Sequence, residues 1–142
     1  MKSNPKVVTN IVKNVFGVSI NLMFDNNLTL LIGNSGNGKS FIFQILDELK
    51  TYDDQIETFN YRDLNKFHLD TLKNLKGKLI VIDNADILLD LPKREYIAFD
   101  DTNQYLIIGR DPSDLMITLE NFKRVKFDED TKTLSLSSLP LI

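Results

Sequence analysis

Residues Leu28 to Lys50 read LTLLIGNSGNGKSFIFQILDELK. Leu28, Leu30, Leu31 and Ile32 make a short apolar run of the kind that forms a buried strand. Phe41, Ile42, Ile45, Leu46 and Leu49 recur at helical spacing and predict an amphipathic helix. Between them, Gly33-Asn34-Ser35-Gly36-Asn37-Gly38-Lys39-Ser40 matches the pattern G-x-x-x-x-G-K-[ST] in spacing and identity. A strand before and a helix after are the context that this pattern requires. The residue types have a physical reason. Glycines let the backbone fold into a nest of inward-facing N–H groups, and the helix start adds its own unpaired N–H groups and positive dipole end. Gly33 through Phe41 is therefore the candidate phosphate-binding segment. In such a loop the lysine reaches the β- and γ-phosphates and the hydroxyl ligates Mg²⁺, roles that fall to Lys39 and Ser40.

Upstream, Phe16, Val18, Ile20, Leu22 and Phe24 alternate with Val15, Gly17, Ser19, Asn21 and Met23, the period of a half-buried strand. Asp25-Asn26-Asn27 is turn chemistry. Residues 16–32 thus predict an antiparallel hairpin running into the glycine-rich loop. A further short strand is expected around Val7 to Val12.

Downstream, Ile56 to Tyr61 predicts a second core strand. Leu64, Phe67, His68, Thr71, Leu72 and Leu75 predict a helix ending near Gly77. His68 falls on or beside the apolar stripe of that helix, where a lone histidine is a structural residue more often than a catalytic one. Leu79-Ile80-Val81-Ile82-Asp83 describes a strand buried on both faces with a carboxylate at its end. Ligands of open α/β sheets bind at that edge, which makes Asp83 the expected second ligand of Mg²⁺, through water. Residues 84–101 predict one or two short helices, with Pro92 starting the second. Tyr105 to Gly109 is another buried strand, and Arg110 stands just past its carboxyl end. Asp111-Pro112-Ser113 reads as a helix start or a turn. Phe122–Phe127 and Thr133–Leu136 predict a closing hairpin across Asp128-Glu129-Asp130-Thr131.

The bulk properties are those of a globular protein. A length of 142 residues suits a single domain over 1–142, and 42% hydrophobic with 26% charged residues allows a proper core. No apolar run is long enough for a membrane span, and MKSNPKVV does not begin a secretory signal. Cysteine is absent, so disulfides and thiol chemistry are excluded, and one histidine cannot build a His-based metal centre. A cytoplasmic location is expected. The net charge of −3 provides no global field for nucleic acid. The local clusters Lys73/Lys76/Lys78 and Lys123/Arg124/Lys126 read as solvated faces, so nucleic acid is open as a partner but not indicated.

Taken together, these residues resemble the P-loop NTPases. Gly33 to Ser40 looks like a Walker A motif and Leu79 to Asp83 like a Walker B motif, and the resemblance runs from Phe16 to Arg110. It implies an α/β fold: a mostly parallel sheet with flanking helices, here with an N-terminal antiparallel hairpin and a C-terminal β-hairpin. GTPase branches carry N-K-x-D and D-x-x-G. Here Asn65-Lys66 continues Phe67-His68 and Asp83 continues Asn84-Ala85-Asp86, so ATP is the expected nucleotide. The hairpin ahead of the loop is similar to that of ABC- and SMC-type ATPases, without their Ser-Gly-Gly signature. Asp83-Asn84-Ala85-Asp86 looks like the Walker B region of AAA-type ATPases, whose helical lid has no room in this length.

Many members carry glutamate after the Walker B aspartate to orient the attacking water; this chain has Asn84. An amide can position water but cannot take its proton. Asn84, Asp86 and Arg110 are therefore the water-positioning or γ-phosphate-sensing candidates beside Lys39, with Asp86 alternatively a helix cap and Arg110 alternatively paired to Asp111 or Asp114. The resemblance implies ATP and Mg²⁺ as ligands and a small Mg²⁺-dependent ATPase of low or partner-stimulated activity. The alternative is an ATP-dependent switch or adaptor that does not hydrolyse. A small-molecule kinase ranks last, because Arg62, Arg94, Arg110 and Arg124 are scattered and do not form a lid. A protein partner or a second copy could supply what the water site lacks, with Arg94 or Arg124 as the arginine entering from a neighbour.

Overall fold

Leu28–Ile32 (β3) is apolar on both faces because it lies inside the sheet, paired in parallel on each side. The computed structural model describes residues 7–33 and 38–139. Among these, eight strands form one mixed sheet in the order β1-β2-β8-β7-β3-β6-β5-β4. The remaining strands are β1 (Asn10–Val15), β2 (Val18–Met23), β4 (Ile56–Phe59), β5 (Leu79–Ile82), β6 (Gln104–Ile108), β7 (Phe122–Asp128) and β8 (Thr133–Ser138). From β7 to β4 every pairing is parallel, while β1 with β2 and β7 with β8 are antiparallel hairpins. The hairpins join through a parallel β2–β8 pairing.

Helix α1 (Lys39–Leu49) crosses from β3 to β4 and buries Ile42, Phe43, Ile45 and Leu46. Each such side chain contributes about 1.5–3 kcal/mol on leaving water. They pack against Leu31, Val81, Leu106 and Ile108 of the parallel strands and also against Ile20, Leu22 and Leu134. The hairpin half of the sheet therefore curls over α1. The opposite face packs Leu30, Ile80, Ile82, Tyr105 and Ile107 against a second cluster that includes Phe67, Leu72, Leu88 and Ile97. That cluster is built from α2 (Leu69–Lys73), α3 (Ala85–Leu88) and α4 (Leu91–Phe99). The fold is mixed α/β with sparse helices. None is long and apolar enough to cross a membrane.

Three expectations are corrected. Residues 16–32 are not a hairpin, since β8 and β7 lie between β2 and β3. The N-terminal hairpin is β1–β2, and its two-residue turn is Phe16-Gly17, with φ of 51° and 78°. A turn with positive φ at both central residues matches the strand twist, and Gly17 adopts it without strain. β1 accordingly begins at Asn10 and runs on to Val15 instead of covering Val7 to Val12. Second, the helix expected from Leu64 to Leu75 is a 3-10 turn at Tyr61–Asp63 followed by the short α2. Local capping competes with the longer helix. Asn60 accepts from the Arg62 N–H, Asp63 accepts from the Asn60 N–H, and the Thr71 hydroxyl accepts from the His68 N–H. The same turn ends β4 at Phe59, and His68 is exposed. Third, Lys123 is not a solvated cation. It is buried, and its ammonium donates to Asp25 at 2.6 Å and to Ser138 at 2.9 Å.

A polar knot anchors the start of β6. Asp100 is buried and accepts from the Tyr105 hydroxyl at 2.5 Å, the Asn103 amide at 2.8 Å, and both the N–H and hydroxyl of Thr102. Burial alone would raise its pKa, but the donors from Thr102, Tyr105 and Asn103 outweigh it and hold the carboxyl below its ordinary value. Burial and then the bond to Asp100 push the Tyr105 phenol up, so it stays protonated. Tyr105→Phe is expected to cost about 1.5–3 kcal/mol in urea unfolding at pH 7. Because the native pKa of Asp100 is depressed, this contribution is full above about pH 4 and shrinks as pH falls through the native value. A variant-to-wild-type difference that stayed constant down to acid unfolding would contradict the assignment.

Candidate functional site

Gly38, the start of α1 and the ends of β5 and β6 meet at the carboxyl edge of the parallel strands. They line a cleft of about 510 Å³ with Gly38, Lys39, Ser40, Phe41, Gln44, Asp83, Asn84, Asp86, Ile108, Gly109 and Arg110. The register explains the convergence. Leu31 lies beside Ile108, and Ile107 beside Ile82, so the ends of β3, β6 and β5 are level. With β6 between them, β3 and β5 stand about 10 Å apart. That spacing leaves room for a group held between the loop and Asp83.

Gly33 has φ of 131° and Gly38 of 88°, backbone conformations that glycine adopts without strain. Asn34, Ser35, Gly36 and Asn37 lie outside the described residues. Gly38 caps α1 and has no side chain to offer, which leaves the first-turn N–H groups for another acceptor. A Cβ there would stand 3.1 Å from Val125 Cγ1, so β7 packs directly on the loop's exit. Lys39 donates its ammonium to the Gly33 carbonyl and bridges the two ends of the loop. Ser40 is exposed on the first turn, and Gln44, one turn along the same helix face, joins the cleft. Phe41 is half-buried, lining the cleft and packing on the apolar cluster beneath.

Asp83 is half-buried at the end of β5, and its carboxylate accepts from the Asn84 N–H at 2.8 Å. Asn84 takes a left-handed conformation, φ 54°, and its side-chain oxygen accepts from the Tyr61 N–H at 3.1 Å. That oxygen braces the turn after β4. Asp86, in the first turn of α3, spends its carboxylate on backbone. It accepts from the Arg110 N–H at 3.0 and 3.2 Å and from the Asp111 N–H at 3.1 Å. Arg110 is exposed and lines the cleft, and among the described residues its guanidinium pairs with neither Asp111 nor Asp114. Hydrogen bonds from the hydroxyl and N–H of Ser113 hold the Asp111 carboxyl below its ordinary value.

The cleft gathers two cationic side chains, Lys39 and Arg110, with the oxygen-bearing side chains of Ser40 and Asp83. Cations of this kind can meet anionic oxygens, and hydroxyl and carboxylate oxygens are the atoms that hard cations take as ligands. Arg94 cannot enter a neighbour's site. It is 5% exposed, and its guanidinium donates to the carbonyls of Leu89, Asp111 and Ser113 at 2.7–3.1 Å. Arg124 is exposed on β7, beside Ile32. The sequence reading missed Gln44, which carries no motif; its helical spacing from Ser40 is the one signal that could have found it.

No model of a known protein family matches the chain, and no curated protein does. Among solved structures it is similar to a chain in the complex of archaeal ribosomal stalk protein aP1 and archaeal ribosome recycling factor aABCE1. The identity is 10%, the TM-score is 0.45, and the match covers 95% of this chain and 39% of that one. It is also similar to a chain in a model of ribosome-bound archaeal Pelota and ABCE1, at 9% identity and a TM-score of 0.37, covering 96% and 34%. The chain spans under two-fifths of either neighbour, and at these scores neither likeness carries an argument.

Gly109 lets α3 approach the end of β6. A Cβ there would stand 3.0 Å from both Ala85 Cβ and Asp86 Oδ1. Gly109→Ala is expected to cost about 1–3 kcal/mol by thermal or urea unfolding. Wild-type stability in that variant would show that the approach is not tight.

Proposed function

We propose that this chain binds ATP with Mg²⁺ in the cleft at the carboxyl edge and turns it over slowly or only with a partner's help. The observation that carries this reading is the meeting of Gly38, Lys39, Ser40 and Asp83 in one cleft, after a G-x-x-x-x-G-K-S loop. A P-loop NTPase fold belongs to the same proposal. It is supported by the parallel run β7-β3-β6-β5-β4 with the loop at the end of its central part. In this reading the loop's N–H groups and Lys39 hold the β- and γ-phosphates, and Ser40 and Asp83 hold Mg²⁺, Asp83 through water. The cation's chemistry is charge neutralisation on the phosphate oxygens.

Low turnover follows from the second group of residues. Asn84 has no carboxylate and is bonded to Tyr61, and Asp86 has both oxygens on backbone N–H groups. Neither is free to take a proton from water. This observation favours the alternative, an ATP-dependent switch or adaptor in which nucleotide changes affinity for a protein partner. A partner or second copy is the proposed source of a missing catalytic group, with Arg124 exposed where a neighbour could meet it. A cytoplasmic setting is proposed with it.

Lys39→Ala is expected to weaken ATP binding at least tenfold in calorimetric titration with Mg²⁺, and Asp83→Asn to reduce the gain that Mg²⁺ gives. Phosphate release from wild type is expected to be slow and absent in Lys39→Ala. ATP affinity unchanged by Lys39→Ala would overturn the reading.

A further inference from the structure

The sequence presents Asp86 as a water-positioning residue or a cap, and Arg94 as an arginine for a neighbour. Their contacts point elsewhere. Asp86 grips the N–H groups of both Arg110 and Asp111, which come just after Gly109 at the end of β6. Behind it, Arg94 stands 3.9 Å from Asp86 Oδ1 and holds the carbonyls of Asp111 and Ser113 at 2.7 and 3.0 Å. Its Nε reaches back to the Leu89 carbonyl at 3.1 Å. One carboxylate and one guanidinium thus bind both the donors and the acceptors of the loop 110–113. They also anchor it to the α3–α4 connection. A carboxylate beside a site for anionic phosphate repels it unless its charge is taken up, and here the two N–H groups and Arg94 take it up. Arg110, exposed, lines the cleft on this side together with the charge-compensated Asp86. Leu31 lies beside Ile108, so Arg110 leaves the sheet at the same edge as the end of β3.

We propose that Asp86 and Arg94 are a positioning pair that holds the backbone of Arg110 so that its guanidinium meets the terminal phosphate of ATP. The pair thereby sets the preference for ATP over ADP. The inference rests on the nucleotide reading above. Asp86 touches no reacting atom in this role. A clamp that only stabilised the fold would alter melting and the affinities for both nucleotides alike, whereas a positioning clamp acts on the ATP-to-ADP ratio.

The test measures affinity for ATP and for ADP, each with Mg²⁺, in wild type, Arg110→Ala, Asp86→Ala, Asp86→Asn, Arg94→Lys and the Asp86→Ala/Arg110→Ala double variant. Asp86→Ala and Arg94→Lys are expected to lower the ATP-to-ADP ratio about tenfold with ADP affinity within twofold of wild type. Asp86→Asn, which keeps an acceptor oxygen, should recover part of it. The double variant should fall no further than Arg110→Ala. Hydrogen exchange at the Arg110 and Asp111 amides should quicken in Asp86→Ala. If Arg94→Lys fails to fold, the solvent-accessible Asp86 carries the comparison. Three outcomes overturn the pair while leaving ATP binding standing: a wild type with no preference between ATP and ADP, an unchanged ratio in Asp86→Ala beside a lowered one in Arg110→Ala, or effects that multiply in the double variant. A wild type that binds neither nucleotide overturns the nucleotide reading and the pair together.

Discussion

The parallel pairing of β3 with β6, Leu28 to Leu31 against Tyr105 to Ile108, underlies the meeting of Gly38, Lys39 and Arg110 in one cleft. The two segments are far apart in the chain, and hydrogen bonds between neighbouring strands are the link. The pairing is held by burial on both faces. Leu31, Leu106 and Ile108 sit under α1, and Leu30, Tyr105 and Ile107 under the opposite helices. At its amino end the Asp100–Tyr105–Asn103 knot fixes where β6 starts, and hence the register in which it meets β3. A slip by one residue would exchange the two apolar faces and carry Arg110 out of the cleft.

Polar groups around the cleft are divided between holding the backbone and facing the open space. Asn84 and Asp86 hold backbone; Ser40, Arg110 and one side of Asp83 face the space. Lys39 is intermediate, because its ammonium rests on the Gly33 carbonyl and can exchange that acceptor for a stronger, charged one. Two acids that look alike in sequence, Asp83 and Asp86, are separated in this way by what their neighbours donate to them.

The antiparallel half of the sheet serves the cleft indirectly. By curling over α1, the β2 and β8 strands bury the helix between two layers, and β7 packs Val125 against Gly38. The helix start therefore rests on a rigid surface. The Lys123–Asp25 pair ties β7 to the segment ahead of β3 at the other end of the sheet. The sequence view of Lys123 as a solvated charge failed because a burial partner 98 positions away leaves no local trace.

The strand Leu28–Ile32 and the helix Lys39–Leu49 were legible in sequence, as were β5 with its terminal aspartate, the Pro92 helix and the closing hairpin. Apolar periodicity, glycine spacing and a proline at a helix start are local signals, and each reports the chain's own few residues. The pairing partner of β3, the place of the first hairpin's turn, the break of the helix after β4 and the duties of Asn84, Asp86 and Arg94 were not legible. Pairing depends on which buried faces meet across long stretches of chain. Turn and cap choices depend on competition between nearby hydrogen bonds, and the role of a carboxylate depends on donors brought in from other strands. The sequence by itself determined a phosphate-loop pattern at the end of a buried strand. Tertiary structure alone decided which acid stays open to a ligand, because only packing determines which donors reach it.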